Sequence, residues 1–246
     1  MKKYYDLHLR VPLNDFGLAE NMIRQSFVLG YSGVGIPSPA NISVEIVSKL
    51  RQLCEGVGID FVTRVDLAPK SVNELLVQLR RFRRKFEIIS VTCQSKPVAR
   101  QAAKDRRVDL VSFPSPDFKQ RFFDAAEAEL MASALASLEI DMFSLLSGTS
   151  FERTRMLSNL RREIATAEKF SVPIVISSGA EDELFMRTPR DFAAFSCLFD
   201  MPLASALDAV SKNPLTIVKR NRAKMSPRYV APGIRVIRRG KDCEEI

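Results

Sequence analysis

The 246-residue chain is 46% hydrophobic and carries a formal charge of +8, apolar content enough for the buried core of one large α/β barrel or of two small domains. Its four cysteines, Cys54, Cys93, Cys197 and Cys243, lie far apart and His8 is the only histidine, which excludes a zinc site of the usual Cys/His kind. The opening MKKYYDLHLR lacks the apolar run of a signal peptide and no segment reaches the ~20 apolar residues of a membrane span, so the expectation is a soluble cytoplasmic protein with reduced thiols and no membrane partner.

The first predicted strand is YYDLHLRV, residues 4–11. Alternation places Asp6, His8 and Arg10 on one face and Tyr5, Leu7, Leu9 and Val11 on the other. With the apolar set against helices, Asp6 and His8 point into a barrel, near the strand ends where barrel active sites are built. The runs GYSGVGI, DFVTRVDL, FEIISVT, VDLVSF, IDMFSLL and PIVISSG follow as further strands, most of them separated by stretches of helical spacing. Capping boxes at Ser71–Glu74 and Thr149–Glu152 start two of the helices, and Pro97 suits the first turn of another. Leu157, Leu160, Ile164 and Ala167 mark the buried face of a helix over 149–170, with Arg153, Arg155, Arg161 and Arg162 mostly on its wet side. After Gly179 two helices are predicted, about 189–199 and 203–222, the second broken at Asn213–Pro214, and Ile234 to Ile237 add a short strand.

Strand and helix in alternation predict a parallel sheet. Seven strands favour a distorted TIM-like (β/α) barrel with extra C-terminal helices: a single domain over 1–246, in which 219–246 is a basic segment packed on the barrel or extending from it. No G-x-G-x-x-G follows the first strand, so a dinucleotide site is excluded.

One imidazole cannot furnish a catalytic zinc or multi-metal centre, and no G-x-S-x-G elbow accompanies it. The readings of Asp6 and His8 are an interior hydrogen-bonded pair, a metal-dependent phosphoesterase, or a carboxylate-only magnesium site with Asp66 and Glu181 or Asp182. The glycines of GYSGVGIP suit close helix packing better than a phosphate loop. Ser177 to Gly179 form either a tight turn with Gly179 at positive φ or a small phosphate-binding loop. The strongest functional signal is basic. Arg64 ends a strand beside Asp66; Arg80, Arg81, Arg83, Arg84 and Lys85 crowd the end of a helix; Arg100, Lys104, Arg106 and Arg107 follow, and Arg187 and Arg190 flank a later Thr-Pro. From Lys219 to Lys241 there are nine Lys or Arg and no acid, which points to a polyanion, and to RNA shape and backbone rather than base stacking, since there is no Trp and only four Tyr.

YYDLHLRVP, TRVDL at 63–67, EIISVT with AAKDRRVDLVSFP up to 114, VPIVISSGA with RTPRD, and NPLTIVKRNR occur in an order that resembles the ribonuclease P protein component 3 family over nearly the whole chain. That family is similar in fold to the polymerase and histidinol phosphatase superfamily, whose metal-binding members begin with His-x-His where Asp6 and His8 stand here. The resemblance implies a subunit without catalytic or metal-binding residues of its own, in an enzyme whose RNA uses Mg2+ to remove 5′ leaders from precursor tRNA. It implies as partners ribonuclease P RNA, precursor tRNA and a smaller ferredoxin-like subunit, two copies of each protein assembling together. The short stretch after the last helix looks more archaeal than eukaryotic. Arg64, Arg100, Arg106, Arg107, Arg187, Arg190, Lys219, Arg220 and Arg222 are the residues expected to bind RNA, with the metal-dependent phosphoesterase using Asp6 and His8 as the alternative.

Overall fold

The computed structural model describes residues 2–231 and 234–237, and the rest of the basic tail lies outside them. Seven parallel strands, β1 (Tyr5–Asp6), β2 (Gly33–Pro37), β3 (Asp60–Leu67), β4 (Ile88–Thr92), β5 (Leu110–Ser112), β6 (Ser137–Asp141) and β7 (Ile174–Ser177), pair in sequential order. This is the predicted barrel. Between β7 and β1 there is no ladder among the described residues; the seam is closed by Arg10 N to Ala180 O at 2.9 Å and by Ser178 N to the Asp6 carboxylate at 3.0 Å.

Helices α1 (Phe16–Val28), α2 (Val44–Val57), α3 (Val72–Phe82), α4 (Lys96–Lys104), α5 (Ala125–Ala134), α6 (Phe143–Ser147) and α7 (Ser150–Lys169) lie between the strands. Asp15, Ser43, Ser71 and Thr149 each accept a first-turn amide, which fixes where α1, α2, α3 and α7 start. The Thr149–Glu152 box is complete. At Ser71 it is half formed, because Glu74 reaches the amide of Lys70 instead.

The strands' outward side chains pack on the helices: Val34, Ile36 and Phe61 with residues of α1 and α2, and Val65, Ile89, Val91, Val111, Leu138 and Ile176 with the later helices. Tyr5, Leu7, Val62, Ile88, Leu110 and Val175 form a separate interior cluster. Gly33 and Gly35 belong to that interior. A Cβ at Gly35 would come within 2.6 Å of the Leu7 carbonyl oxygen, so these glycines admit β1 rather than a helix, correcting the helix-packing expectation.

Two strand expectations also change. The sixth strand is Ser137–Asp141, not IDMFSLL, because the Asp141 carboxylate accepts the Phe143 amide and turns the chain straight into α6. In the first strand Tyr5 and Leu7 face the interior and the apolar face is not uniformly outward. The Asp6 carboxylate accepts the His8 amide at 3.1 Å, an Asx turn that breaks the two-residue period, so Leu7 and His8 both enter the barrel.

Beyond β7 come α8 (Pro189–Ser196), α9 (Leu203–Ala209) and α10 (Lys212–Met225), then an antiparallel pair, β8 (Tyr229–Ala231) with β9 (Ile234–Arg235). The predicted break falls at Val210–Ser211, placing Pro214 in the first turn of α10. Helix α10 closes the barrel at the strands' N-terminal end. Its Ile217 and Val218 join the interior cluster, Val210 O accepts the Tyr5 amide at 3.1 Å, and Asn213 Nδ2 donates to Ile174 O at 2.8 Å.

Candidate functional site

At the strands' C-terminal end a cavity of about 230 Å³ is lined by His8, Arg10, Arg64, Asp66, Glu139 and Asp141, together with Thr92, Ser112 and Arg121. Asp6 is not among its lining residues: its carboxylate is spent on the amides of His8 and Ser178, and burial raises its pKa.

Arg64 is 1% exposed. Its guanidinium grips the Glu139 carboxylate in two bonds, 2.5 and 2.8 Å, reaches Asp66 at 2.6 Å and donates to the Leu7 carbonyl at 2.8 Å. The hydroxyls of Ser90 and Ser177 complete the Glu139 shell at 2.9 and 2.8 Å. Burial opposes the charge on Arg64, but Asp66 and Glu139 outweigh it. Arg10 performs the same task at the seam, donating to Asp141 at 2.6 Å and Glu181 at 2.7 Å.

His8 sits between two carboxylates, Nε2 at 3.2 Å from Asp66 and Nδ1 at 3.3 Å from Asp141. Burial and Arg64 press its pKa down, while Asp141, Asp66 and Glu139 prevail and hold it above the ordinary value. Nε2 accepts from Arg10 Nε at 3.0 Å and Nδ1 has no hydrogen-bond partner among the described residues, so the two carboxylates favour a charged ring by proximity rather than by aligned hydrogen bonds. Asp66 and Asp141 are held below the ordinary carboxylate value, burial opposing and Arg64 with His8, or His8 with Arg10, overcoming it.

These directions fix a pH dependence. A carboxylate with a depressed folded pKa adds stability above its ordinary value of 3.8 that is lost on acidification. A histidine with a raised folded pKa adds stability below 6.5 that is lost as pH rises through its folded value. The urea midpoint is expected to be highest between about pH 4 and 6.5, and His8→Gln to flatten the alkaline decline; an alkaline limb unchanged in His8→Gln would refute this assignment.

A metal of the kind that barrel phosphoesterases carry does not fit this mouth. The carboxylates are bound by guanidinium groups, and among the described residues no cluster of three or more His, Cys, Asp or Glu is arranged to hold an ion. The magnesium alternative fails on placement: Asp6 serves backbone amides, Glu181 pairs with Arg10, and Asp182 accepts the amide of Leu184. Gly179 has the expected positive φ, 59°. Ser177 donates to Glu139 and Ser178 to the His8 carbonyl, so the loop's hydroxyls are engaged internally rather than offered to a phosphate.

The cationic residues named from sequence do not converge. Arg64 lies in the mouth, closed to an RNA backbone by burial, which corrects its assignment as a phosphate contact. Arg220 and Arg222 are ties from α10 to the barrel floor: Arg220 to Asp109 at 2.9 Å, and Arg222 to Asp60 at 2.8 and 3.0 Å and to Glu87 at 2.5 Å. Arg100 binds Asp124 and Glu127 across α4 and α5, Arg107 binds Asp105, and Arg187 donates to the carbonyls of Leu184 and Met186. Arg106, Arg190 and Lys219 are exposed, with no ion pair among the described residues. Sequence reasoning missed Glu139 and Asp109, which sit inside otherwise apolar strands or at their edge, a charge that itself signals a buried partner.

Seven parallel strands in sequential order, wrapped by helices, define a TIM-like barrel class of fold, here with a mouth whose carboxylates are paired to Arg10 and Arg64. A histidinol phosphate phosphatase from Lactococcus lactis, solved with Zn, L-histidinol and phosphate, superposes with a TM-score of 0.51 at 9% identity over 89% of this chain and 93% of that one. The family model for RNase P subunit p30 matches residues 3–226, and the chain belongs to that family. Ribonuclease P protein component 3 of Methanosarcina mazei is 30% identical over 235 residues, 96% of each chain, and that of Methanocaldococcus jannaschii 28% over 147 residues, 60% of this chain and 63% of its own. A chain in the cryo-EM structure of archaeal Ribonuclease P with mature tRNA has a TM-score of 0.81 at 23% identity, covering 97% of this chain and all of that one, and shares its fold. No helix among the described residues is long and apolar enough to cross a membrane.

Proposed function

We infer that this chain works as a protein subunit of ribonuclease P, supporting an RNA catalyst that removes 5′ leaders from precursor tRNA. The observation that carries this is membership of the RNase P subunit p30 family across residues 3–226. The mouth supports a non-catalytic role: its carboxylates and its imidazole are engaged with one another and with Arg10 and Arg64, leaving no free base or open ligand set for hydrolysis. The Mg2+ of the reaction then belongs to the partner RNA, and no cofactor to this chain. Ribonuclease P RNA, the precursor tRNA and a smaller ferredoxin-like subunit in a heterotetramer are the partners this reading names, in the cytoplasm. Arg106, Arg190 and Lys219 remain free to meet phosphate, with Arg100, Arg107 and Arg187 in reserve behind existing partners.

Reconstitution tests the reading. The isolated chain is expected to cleave nothing, and adding it to the cognate RNA and remaining subunits to raise cleavage at low Mg2+ by about tenfold, equivalent to ~1.4 kcal/mol. Equal rates with and without the chain would refute it.

A further inference from the structure

We propose that the N-terminal end of the barrel, floored by α10, is the surface that grips the RNA backbone, with Arg106, Lys219 and Lys224 as its principal free cations; this rests on the reading of the chain as a ribonuclease P subunit.

The first support is how the acids at this end are used. Asp60 and Glu87 are taken by Arg222, and Asp109 by Arg83 at 2.5 Å and Arg220 at 2.9 Å. Asp105 is taken by Arg107. These pairs cancel as they hold the floor in place. Exposed acids at this end, Glu55 of α2 and Glu168 of α7, sit on other helices; beside α10 and the ends of α3 and α4 the exposed charges are Arg80, Arg81, Arg84, Lys85, Lys104, Arg106, Lys219 and Lys224.

The second support is topological. In a βα barrel the helices run back against the strands, so their C-terminal ends meet at this floor, bringing Arg80, Arg81, Arg84 and Lys85 from the end of α3 and Lys104 and Arg106 from the end of α4. Helix dipoles account for attraction of cations to such ends. They do not account for Lys224, which belongs to α10 and whose pKa is lowered by burial and by Arg220, Arg83 and Arg106, with Asp109 opposing. Holding like charges together costs free energy in the free protein, and phosphate groups remove that cost.

The third support is continuity. A groove along α10, of about 520 Å³, is lined by Lys2, Lys3, Lys212 and Lys219, with Asp208 as its one acid, 3.9 Å from Lys212 Nζ. The groove and the Lys224 cluster extend along one helix. Cations strung over a surface with few bases of recognition in reach suit a folded RNA read by its backbone.

Filter binding of the full-length protein to in vitro transcribed ribonuclease P RNA, over a salt series, tests this. Arg106→Gln/Lys219→Gln/Lys224→Gln is expected to weaken binding about tenfold or more at ~0.1 M salt and to reduce the log–log salt slope by about 2. Arg153→Gln/Arg161→Gln/Arg162→Gln, a charge-matched change on α7, is expected to leave both within about twofold. Lys224→Gln alone, reducing the slope by about 1, covers the case of a misfolded triple. If the floor variants bind as wild type does while wild type still supports cleavage, the subunit reading stands and this surface is wrong. Loss of a partner protein with an unchanged RNA salt slope overturns it too. If wild type neither binds the RNA nor supports cleavage, both readings fall.

Discussion

Arg64→Ala is expected to lower the free energy of unfolding by about 3–5 kcal/mol, the cost of stranding a buried charge by removing its partner. Glu139, 4% exposed, would lose its two guanidinium bonds and keep only the hydroxyls of Ser90 and Ser177. Asp66 and the Leu7 carbonyl would lose donors as well. The pair itself carries much less net stability than either half alone suggests, because desolvating two ions offsets most of their attraction. Arg64→Met/Glu139→Leu is therefore expected to recover most of the loss, falling short by about 1 kcal/mol for each serine hydroxyl left without an acceptor. Urea unfolding of the two variants checks both statements. A single variant within 1 kcal/mol of wild type would mean that the mouth is not held by this pair. The double variant also separates structure from catalysis: being folded, it should still support cleavage in the reconstituted enzyme, whereas a mouth that performed chemistry through Glu139 would fall silent.

The second large effect is expected at Asp109. It is fully buried and accepts from Arg83, Arg220, Asn221 Nδ2 at 2.8 Å and the Ile89 amide at 3.0 Å. Asp109→Ala leaves two guanidinium groups, a buried carboxamide and a strand amide without their acceptor, and should cost about 3–5 kcal/mol. Asp109→Asn keeps one acceptor oxygen and points an amino group at an arginine, so its loss should be of similar size. Hydrogen exchange discriminates here, since the Ile89 amide and the amides of α10 are expected to exchange together and faster, ahead of the strands near the mouth. Protection of α10 equal to wild type would show that Asp109 does not bind it to the barrel.

The barrel was legible because buried parallel strands read as short apolar runs, and the PIVIS of PIVISSG, buried at every strand position, stands out from its surroundings in that way. The sixth strand was misplaced for a physical reason: SLEID carries Glu139 at an inward position, so the more apolar residues after it looked like the better strand. The inward faces of β1 could not be read from alternation, because the Asx turn at Asp6 changes the period inside one strand. The basic clusters could not be sorted by spacing into residues tied to carboxylates and residues left exposed. Arg64, Arg220 and Arg222 differ from Arg106 and Lys219 in having carboxylates brought to them from distant parts of the chain, Glu139 lying 75 positions after Arg64 and Asp60 162 positions before Arg222. Spacing along a sequence carries no sign of such a meeting.

The floor helix also has a consequence for the chain as it is being made. Because the strands follow one another around the barrel, each new strand leaving the ribosome meets a neighbour already synthesised, and the growing sheet can form in the order of translation. The carboxylates of Asp60, Glu87 and Asp109 find only part of their donor set early, in the Tyr5 hydroxyl, Thr63 and Arg83. Their remaining donors arrive only with residues 220–222, so these acids stay incompletely paired, and the end of the barrel uncovered, until all seven strands have been made. The floor helix thus docks late, onto a sheet whose strands have already been made.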